Sequence, residues 1–527
     1  MDNHFQSMVG NLIRVLGFLI TILPSLAYSQ QQITLEQLIN HLLIQGDGDL
    51  ELSQMEISIV NSKLKRNKGV FNYINDKHNQ RINKEGLITI SRRVVLDNIS
   101  FSDHLYLNQF DFREGLEIRN CRFNGLTIDQ AAGYDFVFYD NSSDNIVEVL
   151  NSSFERVEVS QNNIDFGIIL DELNAAQVKV ENNQINKGEI DVLDSKISNG
   201  NVLIGDNNVQ AIIVEGCDIQ LGLYGEFNHY KLPGTPSGDL YLTGNTFSGD
   251  STSRFILNKG SYLNLDIREN SFTTKVYFAE NNVTERFFLV NNDFQQTVSF
   301  EKFLFSEIWN ELYWDQLKGH KLRYMEYGAQ NEGDFDNAIA FKNLINIYKD
   351  MHSIFISRGD LESANACYSE MKELQGQMLK HRYEQEGTFN SLLRWQLNVL
   401  LRIYTNHGTD PGLAVLMSFY VILIFSVLYV FFPSEWDADS KNRLLVSYEQ
   451  ALKSKTKSYL GPIIVVGGSL LLTVINAITL SINSFVTLGF GSVPTKGFAR
   501  YLCIVEGFIG WFLLSIFTVS LINQVLA

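Results

Sequence analysis

Leu116-Glu117-Ile118-Arg119-Asn120-Cys121-Arg122-Phe123 states a phrase that the middle of the chain keeps repeating. An alternating apolar run is followed by Asn or Asp, and one further apolar residue closes the phrase. It returns as Val147-Glu148-Val149-Leu150-Asn151-Ser152-Ser153-Phe154 and as Val178-Lys179-Val180-Glu181-Asn182-Asn183-Gln184-Ile185. It returns again at Leu240–Phe247, Leu265–Phe272 and Phe288–Phe294. Alternation of period two predicts strands with one buried face. Asn accepts the left-handed backbone, so it can end each strand with little strain. The closing apolar residues fall at Ile185, Ile197, Val209 and Ile219, and again at Phe272, Val283 and Phe294. Steps of 10 to 12 residues, taken in pairs, give a coil of 22 to 24. A period of that size predicts a solenoid, in which each turn buries its apolar face only on its neighbours.

The phrase resembles right-handed parallel β-helices, including pentapeptide-repeat-like and pectate-lyase-like solenoids. The strict five-residue repeat is absent, so the resemblance implies the architecture and no subfamily. A β-sandwich shows short strands with similar turn signals and stands as the alternative fold. The solenoid domain is expected over residues 30–300. Its Asp and Glu residues read as charge on solvated strand faces rather than as paired catalytic carboxylates. Cys121 and Cys217 hold matching places in the phrase about four coils apart, so ~19 Å separates them and no disulfide is expected.

The whole chain has 527 residues, a formal charge of -17 and four cysteines. That charge leaves no basic face for nucleic acid. The histidines and cysteines show no zinc-type spacing, so neither metal nor cofactor is expected. Leu12 to Leu23 is apolar apart from Arg14, and Ala27-Tyr28-Ser29 places small residues before Gln30. Residues 1–29 therefore read as a secretory signal that sends the chain from residue 30 across a membrane.

Residues 301–408 read as a helical neck. Phe303, Leu304, Ile308, Trp309 and Leu312 are expected to open a helical stripe. Ala338–Ile356 and Leu361–Leu379 form two helices, separated by the stop and cap of Ser357-Arg358-Gly359-Asp360. Ala364 and Ala366 supply small residues for close packing, and the hairpin resembles one tetratricopeptide-like repeat. Trp395–Tyr404 suits either an interfacial helix at a membrane surface or ordinary core packing.

Residues 409–527 carry three apolar runs: Leu413–Phe432, Gly461–Ile482 and Tyr501–Leu526. About 20 residues of helix cross a bilayer core. Between the last two runs lies Ser484-Phe485-Val486-Thr487-Leu488-Gly489-Phe490-Gly491-Ser492-Val493-Pro494. This loop, within 476–494, resembles the pore loop of potassium channels, with Thr487, Leu488, Gly489, Phe490 and Gly491 on the selectivity-filter signature. Such a filter turns backbone carbonyls inward to replace an ion's water, and glycine reaches the dihedrals this needs. Phe490 stands where the family has Tyr, and Ser492 where it has Asp. The resemblance implies a re-entrant pore helix at Ala477–Val486 and an inner helix with a glycine hinge at Gly510 or Gly507. Glu506, a carboxylate near membrane depth that must be paired or wet, is expected either to support the filter from behind or to sit in the interface with Arg500.

The expected order is an inward crossing by Leu413–Phe432, an outward one by Gly461–Ile475, the re-entrant loop, and an inward one by Tyr501–Leu526. Residues 433–458, with Lys441, Arg443, Lys453, Lys455 and Lys457, would then be cytoplasmic. The reading is a non-enzymatic, multi-pass protein of the cell membrane. It would conduct a monovalent cation, with potassium expected, through a homotetramer, and an extracytoplasmic solenoid would meet an unidentified ligand or partner. The alternative is a membrane-anchored carbohydrate-active or surface-binding β-helix.

Overall fold

A computed structural model describes residues 31–526 except 60, 62, 79–81, 201, 222–224, 228–237, 250–252, 325–336, 433–441, 443–444, 447, 451–452, 454–459 and 488–496. The expected signal over residues 1–29 lies outside the described residues. The chain forms two compact units, which divide between residues 317 and 333.

The first unit is a parallel β-solenoid. One wall is a ten-stranded sheet in which every strand pairs with the strand one coil away. Its register runs Val147↔Ile168↔Ile190↔Ile212↔Leu240↔Leu265↔Phe287. The coil lengths that follow are 21, 22, 22, 28, 25 and 22 residues, close to the spacing read from the sequence. Inward residues stack in files: Phe247 on Phe272 at 4.8 Å, and Phe272 on Phe294 at 5.1 Å between ring centroids. No coil can bury this face alone, so stacking supplies the core.

The Asn signal resolves into two neighbouring positions. The first residue takes positive φ, as at Asn120, Asp140, Gln161, Asn182 and Asp206. The second turns inward and is buried: Cys121, Asn141, Asn162, Asn183 and Asn207. Each inner amide joins a ladder. Asn162 Oδ1 accepts the Asn141 backbone N–H at 2.9 Å, and Asn183 Oδ1 accepts that of Asn162 at 3.1 Å. The Nδ2 groups of Asn141, Asn162, Asn183 and Asn207 donate to the carbonyls of Ile118, Phe138, Val159 and Val180. A second corner repeats the device through Cys217, Asn245, Asn270 and Asn292, and Gln316 takes the last rung. A buried amide is costly unless satisfied, and here each serves as a strut between coils. All four cysteines are buried and free.

Two short helices attach to the first coils. Helix α1, Leu35–Leu42, starts on a Thr34/Gln37 capping box and buries Leu35, Leu38, Ile39 and Leu42. Helix α2, Gly69–His78, packs beside the strand Leu105–Asn108. Neither was expected from the alternating pattern.

The far end of the solenoid corrects the reading of residues 301–323. The expected helical stripe is a further coil. Trp309–Leu312 pairs in parallel with Arg286–Leu289, and Leu322–Arg323 pairs with Val298–Ser299. Phe287, Phe300, Phe303 and Phe305 form one aromatic cluster in it. Phe303 and Leu312 are buried while Leu304, Ile308 and Trp309 are exposed, so the five expected residues do not share one buried face.

The second unit begins with the hairpin of α3, Ala338–Ser357, and α4, Leu361–Glu386. Asn337 and Asp360 cap them through side-chain bonds to backbone N–H groups. Tyr348, Met351 and Phe355 are buried, as are Ala364, Cys367 and Met371. Ala366 is exposed, so Ala364 and Cys367 make the close packing expected of Ala364 and Ala366. Buried Glu370 accepts from Tyr348 Oη at 2.8 Å and from the N–H groups of Gly319 and His320. Helix α5, Phe389–Thr405, follows, then α6, Pro411–Phe431, capped by Asp410 with proline at its start. The last two helices are α7, Leu460–Thr487, and α8, Phe498–Leu526. Helices α6, α7 and α8 are long and apolar enough to cross a membrane.

Candidate functional site

Helices α6, α7 and α8 pack together, and their contacts give their directions. Helix α6 is antiparallel to α8. The rings of Phe432 and Phe498 lie 4.8 Å apart at one end, Tyr429 Oη is 3.3 Å from Cys503 Sγ, and Ser520 Oγ donates to the Gly408 carbonyl at the other end. Helix α7 runs parallel to α8. Ala477 packs in one cluster with Ala499 and Cys503, Ser481 bonds to Glu506, and Phe485 meets Gly510. Helix α7 therefore ends level with the middle of α8: Gly510 lies 12 residues, about 18 Å, beyond Phe498.

This corrects the expected order of crossings. The separate outward helix Gly461–Ile475 and pore helix Ala477–Val486 are one continuous helix. No glycine or proline lies between Leu470 and Thr487 to break it. Because α6 is antiparallel to α8, the ends 410 and 526 lie on one side of the bundle. Residues 432 and 498 lie on the other.

Glu506 sits where the three helices meet and is fully buried. Tyr429 Oη of α6 donates to its Oε2 at 2.7 Å, and Ser481 Oγ of α7 donates to its Oε1. Ser481 Oγ also lies 2.9 Å from the Ile422 carbonyl oxygen of α6. A carboxylate without water is costly unless hydrogen-bonded, and here each of its oxygens holds a different neighbouring helix. Gly510 removes a side chain at the α7–α8 contact, where a Cβ would run into the Phe485 backbone. Helix α8 continues unbroken through Gly507 and Gly510, and both glycines are buried.

Thr487 ends α7, its hydroxyl donating to the Asn483 carbonyl. Leu488, Gly489, Phe490, Gly491 and Ser492 lie outside the described residues. The structure thus brings Glu506 and Gly510 against the last turns of α7. Sequence reasoning had not paired them with Tyr429, Ser481 and Phe485. Polar atoms inside apolar runs were the available signal, since a hydroxyl at membrane depth needs a partner.

No protein-family model, curated protein or solved structure matches the chain.

Proposed function

We propose that the second unit forms a cation-conducting pore assembled from four copies of the chain, with potassium as the permeant ion. The observation that carries this reading is the parallel packing of α7 and α8. Two parallel neighbours joined by the ten residues 488–497 require a return path through about 18 Å. Ten extended residues reach roughly 33–36 Å, so the return fits with slack. A helix that stops midway, followed by a strand-like return and a crossing helix, is the arrangement a re-entrant filter needs. The returning segment carries Leu488-Gly489-Phe490-Gly491.

In this reading the carbonyls of residues 487–491 line the axis, and the C-terminal end of α7 aims its partial negative charge at the ion. Glu506 and Gly510 fix the depth of α7 and so of the filter. One loop supplies a quarter of each carbonyl ring, which sets the fourfold assembly. With the filter mouth outward, the neck and the solenoid before it lie on the cytoplasmic side, opposite to the exported position expected from residues 1–29. The solenoid then serves as an intracellular sensor or interaction domain.

The test is ion flux in liposomes holding the purified full chain. Potassium flux blocked by barium, and lost in Gly489→Ala, supports the reading. Undiminished flux in Gly489→Ala, or a strictly monomeric species that conducts, overturns it.

A further inference from the structure

Helix α5 has one face that nothing among the described residues of its own unit covers for most of its length. Phe389, Leu393, Leu397, Leu400 and Tyr404 follow one another at spacings of four, four, three and four residues, which places them on a single helical face. The opposite side belongs to α4. Asn398 lies against Gly376, and Trp395 stacks on Tyr383 at 5.8 Å between ring centroids. Along the free face, exposure falls steadily toward the bundle: Phe389 77%, Leu393 47%, Leu397 42%, Tyr404 2%.

Tyr404 shows what this face points at. It packs in one cluster with Ala414 of α6, Phe485 of α7 and Leu513 of α8, and its hydroxyl bonds Ser418 of α6 at 2.8 Å. The face that enters the membrane bundle at its last residue is therefore the face left bare over the preceding turns. Only residues 406–410 separate α5 from α6. Exposed Arg394 and Arg402 lie away from the middle of the stripe.

We propose that α5 is an interfacial helix whose Phe389–Leu400 face is covered by the bilayer surface, beside the point where α6 enters. Lipid is the occupant because the stripe continues an interface already made with membrane-spanning helices. Arg394, exposed about 100° around the helix from the middle of the stripe, also suits anionic headgroups at its edge. A buried-core role for Trp395–Tyr404, the other expectation from sequence, would leave no such exposed stripe. The inference rests on α6 crossing a membrane and holds whether or not the bundle conducts ions.

The experiment places a spin label at Leu393→Cys, at Leu397→Cys and, as control, at Lys380→Cys on α4. The full chain is reconstituted in bilayers, and its native cysteines are all buried. Collision with lipid-soluble oxygen is compared with collision with a water-soluble nickel chelate. The expected result is oxygen-dominated relaxation at 393 and 397, and chelate-dominated relaxation at 380. Chelate-dominated relaxation at 393 and 397 would place the face in water. Little collision with either agent would place it against another protein surface, such as a second copy. Each of those two outcomes overturns the proposal.

Discussion

Gly510→Ala probes the joint on which the pore reading depends. A Cβ added there lies 2.9 Å from the Phe485 carbonyl carbon and 3.0 Å from its Cα, and closer still to the oxygen. Unstrained carbon contacts sit at about 3.5–4.0 Å, so α7 must retreat from α8 by roughly 0.5–1 Å. The obstacle is backbone, which no rotamer change relieves. Overpacking of this kind costs about 1–3 kcal/mol, while alanine in place of glycine returns about 1 kcal/mol of helix propensity. The net penalty of roughly 0–2 kcal/mol leaves the chain folded, but the contact cost itself, which no gain in helix propensity relieves, displaces the helix that carries the filter in the proposed pore. At about 1–2 kcal/mol that cost shifts populations by about 5–30-fold, and potassium flux should fall by that factor. The controls are Gly467→Ala and Gly468→Ala in the same helix, where nothing lies within 4 Å of the added carbon. These should conduct as the parent does and gain slightly in thermal stability. Flux from reconstituted Gly510→Ala equal to that of the parent, at equal protein incorporation, would refute the argument that this contact sets the filter.

Glu506→Ala should lower the thermal stability of the detergent-solubilised chain by about 1–3 kcal/mol. It removes two hydrogen bonds to a carboxylate, while Ser481 Oγ keeps the Ile422 carbonyl and Tyr429 Oη keeps only the weaker Cys503 Sγ. Tyr429→Phe should cost less, and a double-mutant cycle showing no coupling between the two would separate them. Asn183→Leu removes a rung that bonds both neighbouring coils. It should accelerate hydrogen exchange around residues 159–207, and unchanged exchange there would dismiss the ladder as a support. Burial, with the Glu189 charge adding to it, pushes the Asp191 carboxyl up to about 6. The folded solenoid thus binds the proton more tightly than the unfolded chain. That stability is fully present below about pH 4 and is lost as pH rises through 6. Asp191→Asn should then stabilise the solenoid at pH 7, by about 1 kcal/mol after discounting for its half-exposed position, with no gain at pH 4 in urea unfolding. For topology, impermeant thiol reagents in intact cells should reach Glu449→Cys and miss Lys259→Cys; the reverse pattern would mean an exported solenoid.

The solenoid was legible because stacking makes every coil obey the same alternation, so one phrase predicts the next. Its end was misread because Leu304, Ile308 and Leu312 recur every four residues, as on one face of a helix, and only the pairing with residues 286–289 decides. The three apolar runs were legible as hydrophobic length. The direction of α7 was not, because direction depends on which residues of α8 meet Ser481 and Phe485. Such contacts leave no local trace. The roles of Cys121 and Cys217 were also hidden: each takes the place of an amide in a ladder, at two different corners of the coil.

The corner pairs, with positive φ outside and an amide inside, also govern how this wall can change length. Successive rungs are counted from corner to corner, so residues added along an arc do not disturb the rungs. From Cys217 to Asn245 the chain takes 28 residues instead of the usual 21 or 22, and the rung still closes at 3.0 Å. Growth by whole coils, or by loops inserted between corners, therefore leaves the interior in register. A gain or loss of one residue within a strand would turn an amide outward and an apolar side chain into solvent. The wall can thus be extended, shortened or fitted with new loops as a modular rod, while each surviving coil keeps its neighbours.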